Sequence, residues 1–307
     1  MLIFSGSSNK NLAQKLANKL GFKLGDLEIH TFPDNENRVR VIDNVVDQDV
    51  LVVQSAGVLP NLYYMELFFI LDSLKRSGAR SLTLVIPYLG YQRQDHVFRS
   101  GEAVSLEVII NIIESLGVSK VISFDLHSVK IPQLFSVQIK HLSALPLFAE
   151  KIKKLSGTLG TRGTFNDLVL VTPDMGGIAR IKKLSKLLGN APFVTVEKNR
   201  DLVTGDIDSM KFSGKVGKIA VIVDDVISTG KTIVSAGNLL SENGAEKIYV
   251  MATHGIFAGN ASYDLQEIES IKKVIVTDTI DIPDERKFEK LEIISVADLI
   301  ANELKNN

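Results

Sequence analysis

Val221-Ile222-Val223-Asp224-Asp225-Val226-Ile227-Ser228-Thr229-Gly230-Lys231-Thr232 follows an apolar run that begins at Ile219 and precedes the helix-spaced apolar run Ile233 to Leu240. The order is buried strand, acidic pair at its end, hydroxyl-rich turn, helix, which places the stretch in an α/β fold. At the carboxyl end of a parallel strand, such a turn presents backbone N–H groups and hydroxyls to an anion, with a helix N-terminus behind them. The two aspartates do not favour that anion. They suit sugar hydroxyls or a metal-bound oxygen, and a phosphorylated sugar satisfies both halves. Gly230-Lys231-Thr232 also matches the end of the triphosphate motif G-x-x-x-x-G-K-S/T, but the first glycine of that motif would fall on Asp225, where a carboxylate repels phosphate. A strand-to-helix turn with incidental acids is the plain alternative. Against it, two adjacent aspartates at a buried strand end are costly to place without a partner.

Composition sets the frame around this stretch. The 307 residues suffice for two domains of ordinary size, each with its own core. With 45% hydrophobic and 23% charged residues the chain reads as a soluble globular protein. Its 35 basic residues nearly balance 36 acidic ones, so no global field points to nucleic acid or a membrane surface. Basic clusters are therefore local sites. The absence of cysteine excludes disulfides and thiolate metal sites and suits a reducing cytoplasm. The first residues, Met1 to Ser7, are interrupted too soon for a signal peptide, and the longest apolar run is well short of a membrane span.

Taken in order, the chain alternates strands with helices of 10–18 residues, the rhythm of a mostly parallel sheet covered on both faces. Leu2 to Phe4 reads as a strand, followed by a helix to Leu20 capped by Ser8 or Asn9. Extended segments are expected at Leu27 to Phe32, Val39 to Val41, Val50 to Gln54, Ser81 to Ile86 and Val121 to Phe124. Helices are expected from Pro60 to about Gly78 and from Ser105 to Leu116, and an irregular segment after Pro132 to about Leu142. A second half repeats the pattern, with helices at Pro146 to Leu155, Ile178 to Leu188, 262–270 and 295–305. Its strands are expected at Leu168 to Thr172, Phe193 to Val196, 247–252, 273–277 and 291–294. Glu197 to Phe212 has no clear period and reads as a long mobile loop. Val85-Ile86-Pro87-Tyr88-Leu89-Gly90 and Val171-Thr172-Pro173-Asp174-Met175-Gly176 share a strand-Pro-x-x-Gly exit. The echo suggests a duplicated α/β unit, with domains at 1–143 and 144–307.

Five further clusters carry candidate chemistry. Asp174-Met175-Gly176-Gly177 ends a strand and opens a helix containing Arg180, Lys182 and Lys183, and its paired glycines let backbone approach a diphosphate. Arg93-Gln94-Asp95-His96 follows a strand end, where α/β ligands bind and Arg can stack on a purine or clamp phosphate. Phe32-Pro33-Asp34-Asn35-Glu36 joins an aromatic face to two carboxylates, which suits an adenine ring or ribose. Asp125-Leu126-His127 could ligate a divalent metal or meet a metal-bound water. Lys198 and Arg200, one residue apart, can point the same way from an extended segment and stabilise charge on transferring phosphates. Each cluster taken alone also has a bland reading, as a solvated loop, a glycine turn or a structural histidine.

Together these residues resemble the ribose-phosphate diphosphokinase family, along essentially the whole chain and in order. The resemblance implies two phosphoribosyltransferase-like domains, each a mostly parallel sheet flanked by helices. It makes Phe32, Asp34, Glu36, Arg93, Gln94, Asp95 and His96 the ATP site, and His127 and Asp174 the Mg2+ ligands. Asp174, Gly176 and Gly177 become the diphosphate loop, Lys198 and Arg200 the catalytic pair. Asp224, Asp225, Ser228, Thr229, Gly230, Lys231 and Thr232 become the ribose 5-phosphate site. The implied reaction moves the β,γ-diphosphoryl group of Mg-ATP to the 1-hydroxyl of ribose 5-phosphate, in a dimer-based cytoplasmic homo-oligomer, as large as a hexamer. Four positions depart from the family pattern: His96 stands for Arg or Lys, Ser228 for Asp, Lys231 for Gly or Ala, and Asn35 for Gly. One rival reading is a phosphoribosyltransferase, which shares the 221–232 motif but gives the N-terminal clusters no role; a second is a non-catalytic regulatory relative that assembles with active subunits, against which Lys198 and Arg200 are both present.

Overall fold

The computed structural model describes residues 1–158, 167–200, 207–212 and 214–306, with the side chains of 156–158, 197–200 and 207–211 outside that description. The chain forms two compact units. The first comprises Met1–Leu142, Asp278–Asp281 and Ser295–Asn307, and the second Ser143–Thr277 and Ile282–Ile294.

The first unit is built on five parallel strands, β1 (Leu2–Ser5), β4 (Asp49–Val53), β5 (Ser81–Val85), β6 (Val118–Phe124) and β7 (Gln138–Leu142), adjacent in that order. A separate antiparallel pair, β2 (Leu27–Thr31) and β3 (Asn37–Val41), forms a hairpin. The helices are α1 (Lys10–Leu20), α2 (Pro60–Arg76) and α3 (Ser105–Ser115). Helix α1 buries Leu12, Ala13, Leu16 and Ala17, the stripe a 3.6-residue period demands. The Asn9 side chain accepts the Leu12 N–H at its start, and Gly21 ends it at φ 70°. Pro60 opens α2, and Gly117, at φ 91°, follows α3. From β1 the chain passes through α1 to a parallel bridge at Leu24 on one side of β1, then returns to the other side as β4. Strand order therefore reverses direction at β1/β4.

The second unit holds a seven-stranded sheet in the order β10 (Ile207–Phe212), β9 (Phe193–Arg200), β8 (Leu168–Thr172), β11 (Ile219–Ile227), β12 (Lys247–Gly255), β13 (Ile271–Thr277) and β14 (Leu291–Ile294). All neighbours are parallel except β9 and β10. The helices are α4 (Leu145–Thr158), α5 (Ile178–Leu187), α6 (Lys231–Glu242) and α7 (Ala261–Glu267). Two apolar clusters line the sheet. One, with Ile222, Ile233, Leu240 and Val250, takes α6 and α7; the other, with Phe148, Ile181, Val221 and Met251, takes α4 and α5. No helix among the described residues is long and apolar enough to cross a membrane.

Four sequence expectations are corrected here. Gln138–Leu142, read as irregular, is edge strand β7, because its weak alternation is completed by pairing with β6. Glu197–Phe212, read as a loop, contains the end of β9 and all of β10, paired antiparallel as Lys198 with Met210 and Arg200 with Ile207. The acidic pair lies within β11 rather than after it, since pairing with β12 continues to Ile227. The last helix, α8 (Ala297–Lys305), belongs to the first unit and not to a continuous 144–307 domain. It packs on α1 with Lys19 to Asp298 at 2.5 Å, while Glu303 meets Lys140 at 3.1 Å. The segment at Asp278 is held in the same unit, by Asn9 Nδ2 donating to its carbonyl at 2.8 Å and Lys15 Nζ to its carboxylate at 2.8 Å.

Candidate active site

In the second unit β8 and β11 are neighbours, with Ile222 beside Val171, yet β8 is followed in sequence by β9 on its other side. Strand order thus reverses between them, and their carboxyl ends flank the crevice where open α/β sheets bind ligands. The β8 exit is tightly built. Thr172 Oγ1 donates to the Asp174 carbonyl at 3.0 Å, and Asp174 Oδ1 accepts the Gly177 N–H at 3.1 Å. A Cβ on Gly177 would overlap Thr172 Oγ1, so the turn from strand into the short 3-10 segment Met175–Gly177 and α5 admits only glycine without rearrangement.

Across the crevice, Asp224 and Asp225 are 9% and 4% exposed and lie beyond the last β8–β11 pair. Asp224 Oδ1 accepts the Asp225 N–H at 2.9 Å and Asp225 Oδ1 accepts the Val226 N–H at 3.1 Å. Arg180, in the first turn of α5, reaches both acids, with one guanidinium nitrogen 3.1 Å from Asp224 Oδ1 and the other 3.4 Å from Asp225 Oδ2. Burial pushes the Asp224 carboxyl well above the ordinary range, the Asp225 charge adds to this, and Arg180 opposes it. Ser228, Thr229 and Gly230 form the bend that follows, Thr229 on the surface and Gly230 at φ 73°. Gly230 holds the N-cap of α6, and no side chain of its own caps the helix start. Lys231 is exposed as the first residue of that helix and Thr232 half-buried as the second.

In the first unit the candidate residues fall on three loops. Phe32 to Glu36 is the β2–β3 turn, closed by Phe32 N–H on the Glu36 carbonyl at 2.8 Å. Asn35 sits at φ 69°, which explains why a residue tolerant of the left-handed region is needed there. Asp34 and Glu36 are exposed, and the exposed Phe32 ring carries the Arg38 guanidinium 5.8 Å from its centroid. After β5, Arg93 and Gln94 are exposed, while His96 Nδ1 lies 2.6 Å from the nearly buried Asp95 carboxylate. After β6, Asp125 is buried at φ 31° and His127 is exposed. The adjacent β5 and β6 exits are joined by Gln92, 1% exposed, whose Oε1 accepts the His127 N–H at 3.0 Å.

The structure therefore brings together Asp174, Gly176 and Gly177 with Asp224 to Thr232 in one unit, and Arg93 to His96 with His127 in the other. Phe32 to Glu36 lies on the hairpin of the first unit. Lys198 and Arg200 are placed on β9, the strand next to β8, with side chains outside the described residues. Reading the sequence missed Arg180 as a partner of the acidic pair and Gln92 as a link between two loops. A basic residue six positions after Asp174 was the available signal for Arg180. For Gln92, one polar residue in a polar stretch was no signal.

A strand-order reversal carrying a buried acidic pair, a helix N-terminus and a glycine turn defines an α/β protein that handles phosphorylated ligands. Comparison with known proteins is specific. Residues 1–117 match the family model described as the N-terminal domain of ribose phosphate pyrophosphokinase, and residues 195–306 match the phosphoribosyl synthetase-associated domain. Ribose-phosphate pyrophosphokinase of Bacillus caldolyticus is 36% identical over 300 residues, covering 97% of this chain and 92% of its own. That of Fusobacterium nucleatum is 36% identical over 301 residues, covering 98% and 92%. The crystal structure of phosphoribosylpyrophosphate synthetase from Mycobacterium smegmatis superposes with a TM-score of 0.90 at 30% identity, over 99% of this chain and 97% of that one. The chain belongs to the ribose-phosphate pyrophosphokinase family, transferases of nucleotide biosynthesis that form 5-phosphoribosyl 1-diphosphate from ribose 5-phosphate and ATP.

Proposed function

We propose that this chain divides the family reaction between a nucleotide half in the first unit and an acceptor half in the second. Phe32, Asp34, Glu36 and Arg93 to His96 hold ATP. Asp224 and Asp225 accept hydrogen bonds from the ribose 2- and 3-hydroxyls, and Ser228 to Thr232 take the 5-phosphate on the N-terminus of α6. The observation that carries this reading is the second unit's crevice, where a buried acidic pair and a helix N-terminus that opens on a glycine lie beside a glycine turn on the neighbouring strand.

The anomeric hydroxyl of ribose 5-phosphate attacks the β-phosphorus of ATP in line. A bond forms between O1 and Pβ, the bond from Pβ to the α,β-bridging oxygen breaks, AMP leaves with that oxygen, and the hydroxyl proton is released. Such a transfer asks the protein for positioning and charge stabilisation more than covalent chemistry. Asp174 to Gly177 cradle the transferred diphosphate, and Lys198 and Arg200 neutralise charge that grows in the transition state. Among the described residues no group of three or more His, Asp or Glu could enclose a metal. His127 in the first unit and Asp174 in the second, the latter oriented by the Gly177 N–H, are each of a type that would serve Mg2+, which keeps several waters and takes few protein groups. When bound, Mg2+ supplies neutralising charge for the phosphates. A cytoplasmic homo-oligomer acting on ATP and ribose 5-phosphate belongs to the same reading.

Incubation with ATP, Mg2+ and ribose 5-phosphate tests it. The expected result is AMP in proportion to 5-phosphoribosyl 1-diphosphate. ADP as the product, or nucleotide turnover without ribose 5-phosphate, overturns it.

A further inference from the structure

We propose that Arg180 is a positioning residue for ribose 5-phosphate, a forked cation that bridges Asp224 and Asp225 and ties them to the diphosphate loop. This rests on the assignment of the two aspartates to the ribose hydroxyls. Two carboxylates on consecutive buried residues repel each other, and Arg180 is the cation that opposes this repulsion. Arg180 spans the pair with two separate nitrogens, at 3.1 Å from Asp224 and 3.4 Å from Asp225, a geometry that a guanidinium supplies and an ammonium does not.

Asp224 Oδ1 takes both the Asp225 N–H and one Arg180 nitrogen, while the other nitrogen reaches Asp225 Oδ2. The Arg180 side chain is 16% exposed, enclosed rather than solvated. Its backbone stands three residues after Gly177, whose N–H is bonded to Asp174. One rigid helical turn thus connects the acids that hold the acceptor with the loop assigned to the diphosphate, and a shift of either is felt by the other.

Steady-state kinetics of AMP formation with Arg180→Gln, Arg180→Lys, Asp224→Asn and Asp225→Asn, alongside thermal unfolding of each, tests the proposal. Arg180→Gln is expected to raise KM for ribose 5-phosphate by about tenfold or more, the effect of losing one charged contact, with KM for ATP within about twofold. Arg180→Lys is expected to recover part of that loss, and it serves as the informative variant should the glutamine form not fold. A lowered Tm in both variants with unchanged KM for ribose 5-phosphate makes Arg180 merely structural and overturns the proposal. If both asparagine variants leave that KM unchanged, the assignment of the acids itself falls. If they raise it and the Arg180 variants do not, only the role of Arg180 falls.

Discussion

The Gln92 side-chain oxygen accepts the His127 backbone N–H at 3.0 Å from a position that is 1% exposed, so one buried amide couples the loop of Arg93 to Asp95 with the loop of His127. Gln92→Ala leaves that N–H without its acceptor and opens a gap. The expected cost is about 1–3 kcal/mol, read as a lower urea midpoint at unchanged slope. Gln92→Met fills most of the space without an acceptor oxygen and is expected to lose much of the same stability. A methionine form as stable as the native sequence would show that the oxygen is not the feature that matters.

A second buried network closes the β1/β4 reversal of the first unit. Glu66 Oε1 accepts the Ser7 N–H at 2.6 Å and the Gln54 amide at 2.7 Å, and Gln54 Oε1 accepts from Ser8 Oγ at 2.6 Å. Here a carboxylate of the protein occupies a strand exit of the kind that the second unit leaves to a ligand. Glu66→Ala takes an acceptor from the Ser7 N–H and from the buried Gln54 amide, which keeps the Tyr63 carbonyl at 3.3 Å, and is expected to destabilise by about 1–3 kcal/mol. Denaturant unfolding measures it, and a change under about 0.5 kcal/mol, the range of ordinary surface substitutions, refutes the network's importance.

Gly177→Ala places a methyl group against Thr172 Oγ1. Overpacking of this kind costs about 1–3 kcal/mol, and the displaced turn should lower kcat. Thr172→Ala combined with Gly177→Ala removes the obstructing oxygen, so the double variant is expected to be more stable than the sum of the two single changes predicts. Strict additivity in a double-mutant cycle would contradict the contact.

Asp224 has its folded-state pKa raised, chiefly by burial. The sign follows: the protonated form is favoured in the folded chain, so stability is fully present below the unfolded value. It is lost as pH rises toward the raised folded value. Asp224→Asn removes this loss. Its Tm relative to the native sequence is expected to rise between pH 4 and pH 8, and thermal scans in which the difference shrinks with pH would contradict the raised pKa.

Lys198→Ala removes a cation assigned to the transition state rather than to either bound substrate. The expected outcome is a loss of about 10²–10³ in kcat with ribose 5-phosphate affinity retained. Calorimetric binding beside turnover separates the two, and parallel loss of both would move Lys198 from the reaction to binding.

Much of the site was legible in the chain because short-range chemistry writes it there. Asn9, Pro60 and Gly117 announced helix ends through local backbone geometry. The alternation of apolar runs announced parallel sheets, and Asp224 to Thr232 announced a strand-end ligand loop. What was not legible depends on partners far away in sequence. β7 and β10 are weakly patterned and exist because β6 and β9 pair with them. Helix α8 is amphipathic, and nothing in its own residues says that its apolar face belongs on α1.

By itself, the sequence determined an α/β protein, most of its order of elements and the strand-end loops on which the candidate residues gather, since each follows from local periodicity and turn chemistry. Tertiary structure alone decided which strands are neighbours, where strand order reverses, and that Arg180 meets an acid 44 positions away while Gln92 meets a backbone 35 away. Those pairings come from the packing of whole elements, a long-range outcome that no window of sequence contains.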